Sequence, residues 1–514
     1  MGTRGTFQSS HLLEQLSPTL GNREWRLDNL YWIEDPRGIA IPFRRNEAQR
    51  LLWNDLWYLN VILKARQLGF STYILIIMLD QALFYPGTSC GIIDITLDDA
   101  SAKLRKLLFA YNRLPDQVKS MIPLKTENSE RLAWESGSEV TASVSHRGGT
   151  KQIIHVSEFG KIAAKFPEKA REIKTGAFGT VHPGQFIFVE STAEGNGGAF
   201  YDMVQAAEKK QLSGKVLTEM DFRLHFFAWW QHPGYRIEPD NVVISAEMAD
   251  YFAATEVEIG RKLDAEQRAW YVAKREAIGP DDMRREYPST SKEAFLASVE
   301  GAYFKTQMTR LREQKRIGHV PHDPSRPVNT FWDIGKRDST AIWFHQSYGN
   351  LHHIIDYFEH SGEGVEFYAR ALAEKKAKRG FSYGRHLGPH DLDNSHWILP
   401  GDRDMVDVAR ALGIDFEIVP RVPDKMQAIE AARNFLSMCS IDEEHCAEGI
   451  KCLDNYRKQW DEKLATYKDA PLHDWASHGA DAFQTGACGY TPEYVPPPID
   501  RYAKPKVRGS AWAA

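Results

Sequence analysis

Short apolar runs alternate with longer helical stretches through the first two hundred residues of the chain. Apolar runs at 61–63, 90–96, 139–144, 152–156 and 186–190 read as strands. Between the first of them lie a buried helix over 72–85, closed by Pro86-Gly87, and a helix over 98–112. This alternation predicts a largely parallel sheet covered by helices. A polar, helix-rich stretch follows over about 201–300, then a basic connector from Lys305 to Arg316. A second α/β pattern begins at Asn329. Three strands (329–335, 339–346 and 351–358) come first, the last two joined through Ser347-Tyr348-Gly349-Asn350, a good hairpin signal. A helix over 364–378, a short strand at 386–391, a helix over 405–412, a strand over 416–419 and a helix over 425–436 complete the pattern.

The first candidate chemistry lies just after the 61–63 strand. Lys64, Arg66, Gln67, Gly69, Ser71 and Thr72 form a distorted phosphate-binding loop. In the usual loop, backbone N–H groups cradle phosphates and a hydroxyl holds Mg²⁺. Gly69 and Ser71 are in place here, but Phe70 stands where the lysine belongs, and Lys64 supplies a lysine from the opposite wall. The buried strand at 152–156 ends in Ser157-Glu158, and an acid at the carboxyl edge of a parallel strand faces the ligand crevice. Glu158 is expected to orient the attacking water. Ser157 replaces the usual Mg²⁺-holding Asp and could reach the ion only through water. Arg147, in a glycine-flanked turn, is free to project as an arginine finger or to serve as a plain hairpin residue. Ser191, Thr192 and Ala193 end the next strand beside a glycine-rich loop and could sense a phosphate, and the Gln49 amide could read adenine's edge.

The second candidate chemistry is acidic. Asp333 stands near the end of the first strand of the second half, Asp391 follows a later strand, and Asp474, His478 and Asp481 fall at i, i+4 and i+7 of the closing helix. That spacing puts the last three on one helical face. Hairpin-linked strands followed by helix–strand repeats, with acids on this set of elements, describe an RNase H-like fold. Such carboxylates hold two divalent ions that flank a scissile phosphate, and oxygen ligands suit Mg²⁺ or Mn²⁺.

Composition alters this picture little. The 514 residues allow two to four domains, and 42% hydrophobic with 26% charged residues is ordinary for a globular chain. A net charge of −5 gives no global attraction for nucleic acid, so DNA contact must come from local basic strips. Five cysteines without paired spacing read as free thiols of a reducing compartment. No run approaches the roughly 18 apolar residues of a membrane span, and a cytosolic protein is expected.

From about residue 43 to residue 483 the chain resembles the large terminase subunits of tailed bacteriophages. The likeness is carried by Lys64-Ala65-Arg66-Gln67-Leu68-Gly69-Phe70-Ser71-Thr72, by His155-Val156-Ser157-Glu158 and by Ser477-His478-Gly479-Ala480-Asp481-Ala482. The resemblance implies a P-loop (RecA-like, ASCE) ATPase domain followed by an RNase H-like nuclease. The corresponding divisions are an ATPase core over 1–200, a helical lid over 201–300, a linker over 301–325, a nuclease over 326–490 and a flexible basic tail over 491–514. It further implies ATP and Mg²⁺ as ligands, with Mn²⁺ an option at the nuclease. Gln49 would read adenine, Lys64, Arg66, Gln67, Gly69, Ser71 and Thr72 would bind phosphate, and Glu158 would be catalytic. Arg147 would reach a neighbouring subunit's ATP, and Ser191-Thr192-Ala193 would couple hydrolysis to movement. Asp333, Asp391 and Asp481 would be the nuclease acids, with Asp474 and His478 as alternates. The implied partners are double-stranded DNA, the portal protein, the small terminase subunit and further copies in a ring. The implied place is the host cytoplasm and, transiently, the procapsid. Two other readings are a metal-dependent nuclease with a regulatory, non-motor nucleotide domain, and an assembly scaffold with both sites degenerate.

Overall fold

The apolar run at 61–63 extends at both ends into strand β1 (Leu59–Lys64) of the computed structural model, with five of its six residues buried. The structure describes residues 18–491 apart from 147, 297–298, 336–338, 394–397, 400–402, 462–463 and 465. Arg147 and the basic tail therefore lie outside the described residues. The chain divides into two units: one ends at Lys305 and takes in Leu453–Ser477, and the other comprises Thr306–Cys452 and the chain from His478.

The first unit is built on β1, β2 (Ser89–Ile93), β3 (Leu124–Glu127), β4 (Arg131–Trp134), β5 (Glu139–Ser143), β6 (Lys151–Ser157), β7 (Val181–Ser191) and β8 (Phe222–Phe227). They form one sheet in the order β8-β1-β7-β6-β2-β5-β4-β3. From β8 to β5 every neighbouring pair is parallel, while β4 and β3 extend the edge antiparallel. The phosphate-loop strand β1 is thus separated from the acid-bearing strand β6 by β7, the RecA-like (ASCE) arrangement. The sheet runs past the boundary expected at 200, because β8 pairs along its whole length with β1. The lid region is otherwise helical, at Ala246–Ile259, Ala265–Ile278 and Pro280–Glu286. The expected linker is structured too, with a helix over Lys305–Glu313.

Helix α1 (Glu47–Asn54) and helix α2 (Phe70–Phe84) flank the phosphate loop. Thirteen of the fifteen residues of α2 are buried, so the helix is covered on every side. Its one buried acid, Asp80, is held by a two-pronged ion pair from Arg26 at 2.7 and 2.8 Å and by the Tyr31 hydroxyl at 2.7 Å. A charge in so apolar a helix is tolerable only when paired.

The second unit holds β9 (Ile317–Gly318), β10 (Val328–Asp333), β11 (Ser339–Tyr348), β12 (Leu351–Ser361), β13 (Tyr383–Gly388), β14 (Phe416–Ile418) and β15 (Cys439–Asp442), in the order β9-β15-β12-β11-β10-β13-β14. The first three long strands, β10 to β12, are an antiparallel meander. Gly349, at φ +67°, makes the tight turn between β11 and β12, where Tyr348 pairs with Leu351. Strands β13 and β14 continue in parallel from β10. Counting from β10, the core order is 3-2-1-4-5, that of RNase H-like folds. Helices α3 (Val365–Arg379), α4 (Lys425–Leu436) and α5 (Trp475–Gly489) complete the elements that matter below. The expected strands all occur in these two sheets, which also take in β3, β4, β8, β9 and β15, none of them expected.

Helix α5 approaches the sheet closely. A Cβ added at Gly486 would lie 2.1 Å from the Phe331 ring, itself fully buried and 5.0 Å from the His345 ring. Gly486→Ala gains roughly 0.5–1 kcal/mol of helix propensity, but overpacking a filled core costs about 1–3 kcal/mol. The substitution is therefore expected to lower the denaturant midpoint of the second unit, and an unchanged or raised midpoint would show that Phe331 can step aside.

Candidate nucleotide and metal sites

The phosphate loop leaves the sheet at Lys64 and turns through two left-handed residues, Gln67 (φ 58°) and Gly69 (φ 77°), before α2 begins at Phe70. Neighbours brace it on both sides. The Arg66 N–H donates to the Glu286 carbonyl at 2.8 Å, and the Tyr235 hydroxyl donates to the Arg66 carbonyl at 2.6 Å. On the other side, Asn46 Nδ2 donates to the Leu68 carbonyl and Gln49 Nε2 to the Gly69 carbonyl, at 3.1 and 2.9 Å. Gln49 Oε1 accepts from the Asn46 N–H in a capping box that starts α1. The Gln49 side chain is only 3% exposed, and its amide is engaged at both ends in tying α1 to the loop, so reading adenine would require it to exchange one of these bonds. Phe70, in the place of the usual lysine, is buried against Phe227 with ring centroids 4.4 Å apart. Thr72 follows in the first turn of α2, half-buried.

Lys64 does reach the site. Its Nζ lies 3.0 Å from Glu190 Oε2 and 3.8 Å from Glu158 Oε1. Burial alone would lower this ammonium's pKa, but Glu190 and then Glu158 outweigh it and hold Lys64 charged. Glu158 sits in a left-handed turn (φ 53°) straight after β6 and starts the helix Phe159–Lys165. Its other oxygen pairs with Lys161 at 2.9 Å, and about a quarter of the side chain remains exposed.

Sequence reasoning missed Glu190. This residue of β7 is fully buried, and its Oε1 accepts from Ser71 Oγ at 2.5 Å and from Ser157 Oγ at 2.9 Å, with His155 Nε2 at 3.3 Å. Burial pushes the carboxyl up, yet Lys64, His155 and Ser71 together hold it well below the usual carboxylate range. The one available signal was an acid closing an otherwise apolar run beside Ser191-Thr192. Those two residues and Ala193 are buried as well. A Cβ at Gly160 would lie 2.7 Å from the Thr192 carbonyl and 2.8 Å from Ser191 Oγ, so the turn after Glu158 packs directly on the expected coupling segment.

In the second unit, Asp333 at the end of β10, Asp391 in the turn His390–Asp393 after β13, and Asp481 on α5 line one cleft of about 360 Å³. His478 Nδ1 is 3.2 Å from Asp333 Oδ2, and Gln484 Nε2 donates to Asp481 Oδ1 at 3.0 Å. Burial in the cleft and the neighbouring charge of Asp481 push Asp333 up, partly offset by His478 and Lys425. Asp424, which caps α4, and Lys425 line the same cleft and had not been singled out. The Lys425 ammonium sits 2.8 Å from Asp481 Oδ1, a positive charge where a metal cation would act. Among the described residues no three candidate ligands converge on one point. The donor chemistry, carboxylate oxygens round a cleft that already accommodates a cation, fits Mg²⁺ or Mn²⁺.

Asp474 is engaged within the first unit. It precedes α5 instead of lying within it, its Oδ1 accepts from the Ala476 N–H at 3.0 Å, and its Oδ2 pairs with Arg457 at 2.9 Å. Its carboxylate is spent inside the first unit, which corrects the expected three-residue helical face.

Compared with protein-family models and with curated proteins, the chain matches none. Among solved structures it is similar to the large terminase of bacteriophage HK97, at 13% identity and a TM-score of 0.44, over 91% of this chain and 99% of that one. It is similar to the large terminase ATPase domain of Thermus phage P74-26, at 17% identity and a TM-score of 0.32, over 48% of this chain and 94% of that one. It is also similar to the large terminase nuclease domain of bacteriophage SPP1 with bound Mn, at 15% identity and a TM-score of 0.25, over 33% and 91%. Among the described residues, no helix is long and apolar enough to cross a membrane.

The geometry separates the acids experimentally. Asp481→Asn is expected to abolish Mn²⁺-dependent plasmid nicking, whereas Asp474→Asn should retain it. Arg457→Met, which leaves Asp474 buried and uncompensated, should destabilise the first unit by about 3–5 kcal/mol. Denaturant unfolding measured beside the nicking assay checks both statements, and equal loss of nicking in stable Asp474→Asn would return that residue to the site.

Proposed function

We propose that this chain is the large subunit of a viral DNA-packaging motor, hydrolysing ATP to move double-stranded DNA into a procapsid and cutting concatemeric DNA. One observation carries the reading: a phosphate loop facing an acid on a RecA-like sheet, and an acid-lined cleft on an RNase H-like sheet, occur in one chain. ATP phosphates would be received by the loop N–H groups and the N-terminus of α2. Lys64 would meet them from the side, leaving Glu158, exposed enough to touch solvent, to orient the attacking water. Mg²⁺ held at Ser71 would neutralise phosphate charge during transfer. The packing of Gly160 against Thr192 gives the Glu158 turn a direct mechanical route to the coupling segment.

In the nuclease, Asp333, Asp391 and Asp481 would hold divalent ions, whose chemistry is to activate water and stabilise the leaving oxygen. His478 orients Asp333, and Lys425 neutralises Asp481 until a cation takes its place. The partners that follow are DNA, the portal protein, the small terminase subunit and further copies in a ring, with Arg147 acting on a neighbour's ATP. The site of action would be the host cytoplasm and the procapsid. The second reading, a nuclease with a regulatory nucleotide domain, is favoured by Phe70, which is locked into the core where a motor normally carries its lysine.

ATP turnover by the purified chain, with and without DNA, tests the choice. Lys64→Ala and Glu158→Gln should each lose turnover, the latter by about 10²–10⁴-fold. Glu158→Gln that lost turnover but still packaged DNA would establish the regulatory reading instead.

A further inference from the structure

The ATP site as read above lacks the acid that ordinarily shares Mg²⁺ with the loop hydroxyl, because Ser157 occupies its position at the end of β6. We propose that Glu190, one strand over on β7, supplies that carboxylate to the magnesium ion of bound ATP. The inference rests on the ATP-site reading and adds to it the residue that makes the site metal-competent.

The sheet register puts Glu190 beside Ser157 on one side and beside Ile62 of β1 on the other. Moving the acid from β6 to β7 therefore keeps it at the same height above the sheet and brings it one strand nearer the phosphate loop. The two oxygens divide their work. Oε2 faces Lys64 at 3.0 Å, while Oε1 takes both Ser71 Oγ and Ser157 Oγ, at 2.5 and 2.9 Å. Ser71 is the hydroxyl that a phosphate loop offers to Mg²⁺. Any buried carboxylate needs hydrogen bonds, and His155 Nε2 at 3.3 Å also meets Oε1; what points to the ion is that one of the donors is the phosphate-loop hydroxyl itself. The pair Ser157 and Glu190 thus reads as the usual acid exchanged between adjacent strands, with the hydroxyl left behind to hold its successor.

The test is the binding of a fluorescent, non-hydrolysable ATP analogue to the full chain, once in EDTA and once in Mg²⁺. Wild type should bind more tightly in Mg²⁺. Glu190→Gln, which also frees Lys64 for phosphate, should bind at least as tightly as wild type in EDTA and lose about 10–100-fold of the gain from Mg²⁺. With Mn²⁺ in place of Mg²⁺, the electron paramagnetic resonance signal of nucleotide-bound Mn²⁺ should weaken in parallel. Restoring an acid on β6, as Ser157→Asp in the Glu190→Gln background, should recover the metal dependence. If Glu190→Gln fails to fold, Glu190→Asp keeps a negative charge near Lys64, draws the carboxylate back from Ser71 and Lys64 together and is read in the same way. A full Mg²⁺ gain in the Glu190 variants, or an equal fall of affinity in both buffers, overturns the proposal. Failure of the wild type to bind in either buffer defeats the ATP-site reading itself.

Discussion

Removing a carboxylate from water between three strands is expensive, several kcal/mol per ion even after relaxation, and Glu190 imposes that demand at the centre of the first unit. The chain meets it with one ammonium from β1, a hydroxyl from α2, and a hydroxyl and an imidazole from β6. Lys64 is the last residue of β1, Ser157 the last of β6, and Ser71 the second of α2. A single buried charge therefore aligns the ends of two strands and the start of the helix that any phosphate must approach. The apolar runs place these elements side by side, and the charge ties their ends to one another.

Strain gathers round the same point. Among the described residues only Gln67, Glu158 and Lys315 are non-glycine with positive φ, and the first two belong to the candidate nucleotide site. A left-handed turn at a residue with a side chain costs free energy, and it persists where surrounding contacts over-determine it. Gln67 is flanked by the Arg66 and Leu68 carbonyls, both held by neighbours. Glu158 is held by Lys161 and packed, through Gly160, on Thr192. Both turns point groups out of the ladder that a regular strand would have kept in it.

Periodicity and turn residues disclosed the two sheets because strand runs and hairpin signals are local properties. They placed the hairpin at Gly349-Asn350 and the helix over Lys425–Leu436, where the structure has both. Long-range pairing was out of reach. Gln49 looked available because its ties to Gly69 cross twenty positions. Asp474 matched helical spacing, yet Arg457, on a neighbouring segment, had already claimed its carboxylate. The segment Leu453–Ser477 follows the second unit's strands in sequence but packs in the first unit. There Asn455 Nδ2 donates to Asn196 Oδ1 at 2.6 Å, and Gly197 has room for nothing larger beside Trp475. Composition cannot announce such a return, since nothing in it distinguishes a strand pair of one unit from that of another.

Both candidate sites share an electrostatic habit. Four of the acids that would serve a ligand are already matched by the protein's own base: Glu190 by Lys64, Glu158 by Lys161, Asp481 by Lys425, Asp333 by His478. Buried and half-buried charges must be paired or hold metal, so a site that folds before it is loaded has to carry its own counter-ions. On the functional reading proposed above, loading would then be an exchange of partners. A cation held by Asp481 would take the place of an ammonium, and phosphates bound at Lys64 would draw it from Glu190. Affinity is lowered by the strength of the pair being broken, and the freed base becomes available to the ligand's own charge. On that reading the groups to move would be the lysines, whose long side chains can swing, while the acids are placed by strand ends and helix starts.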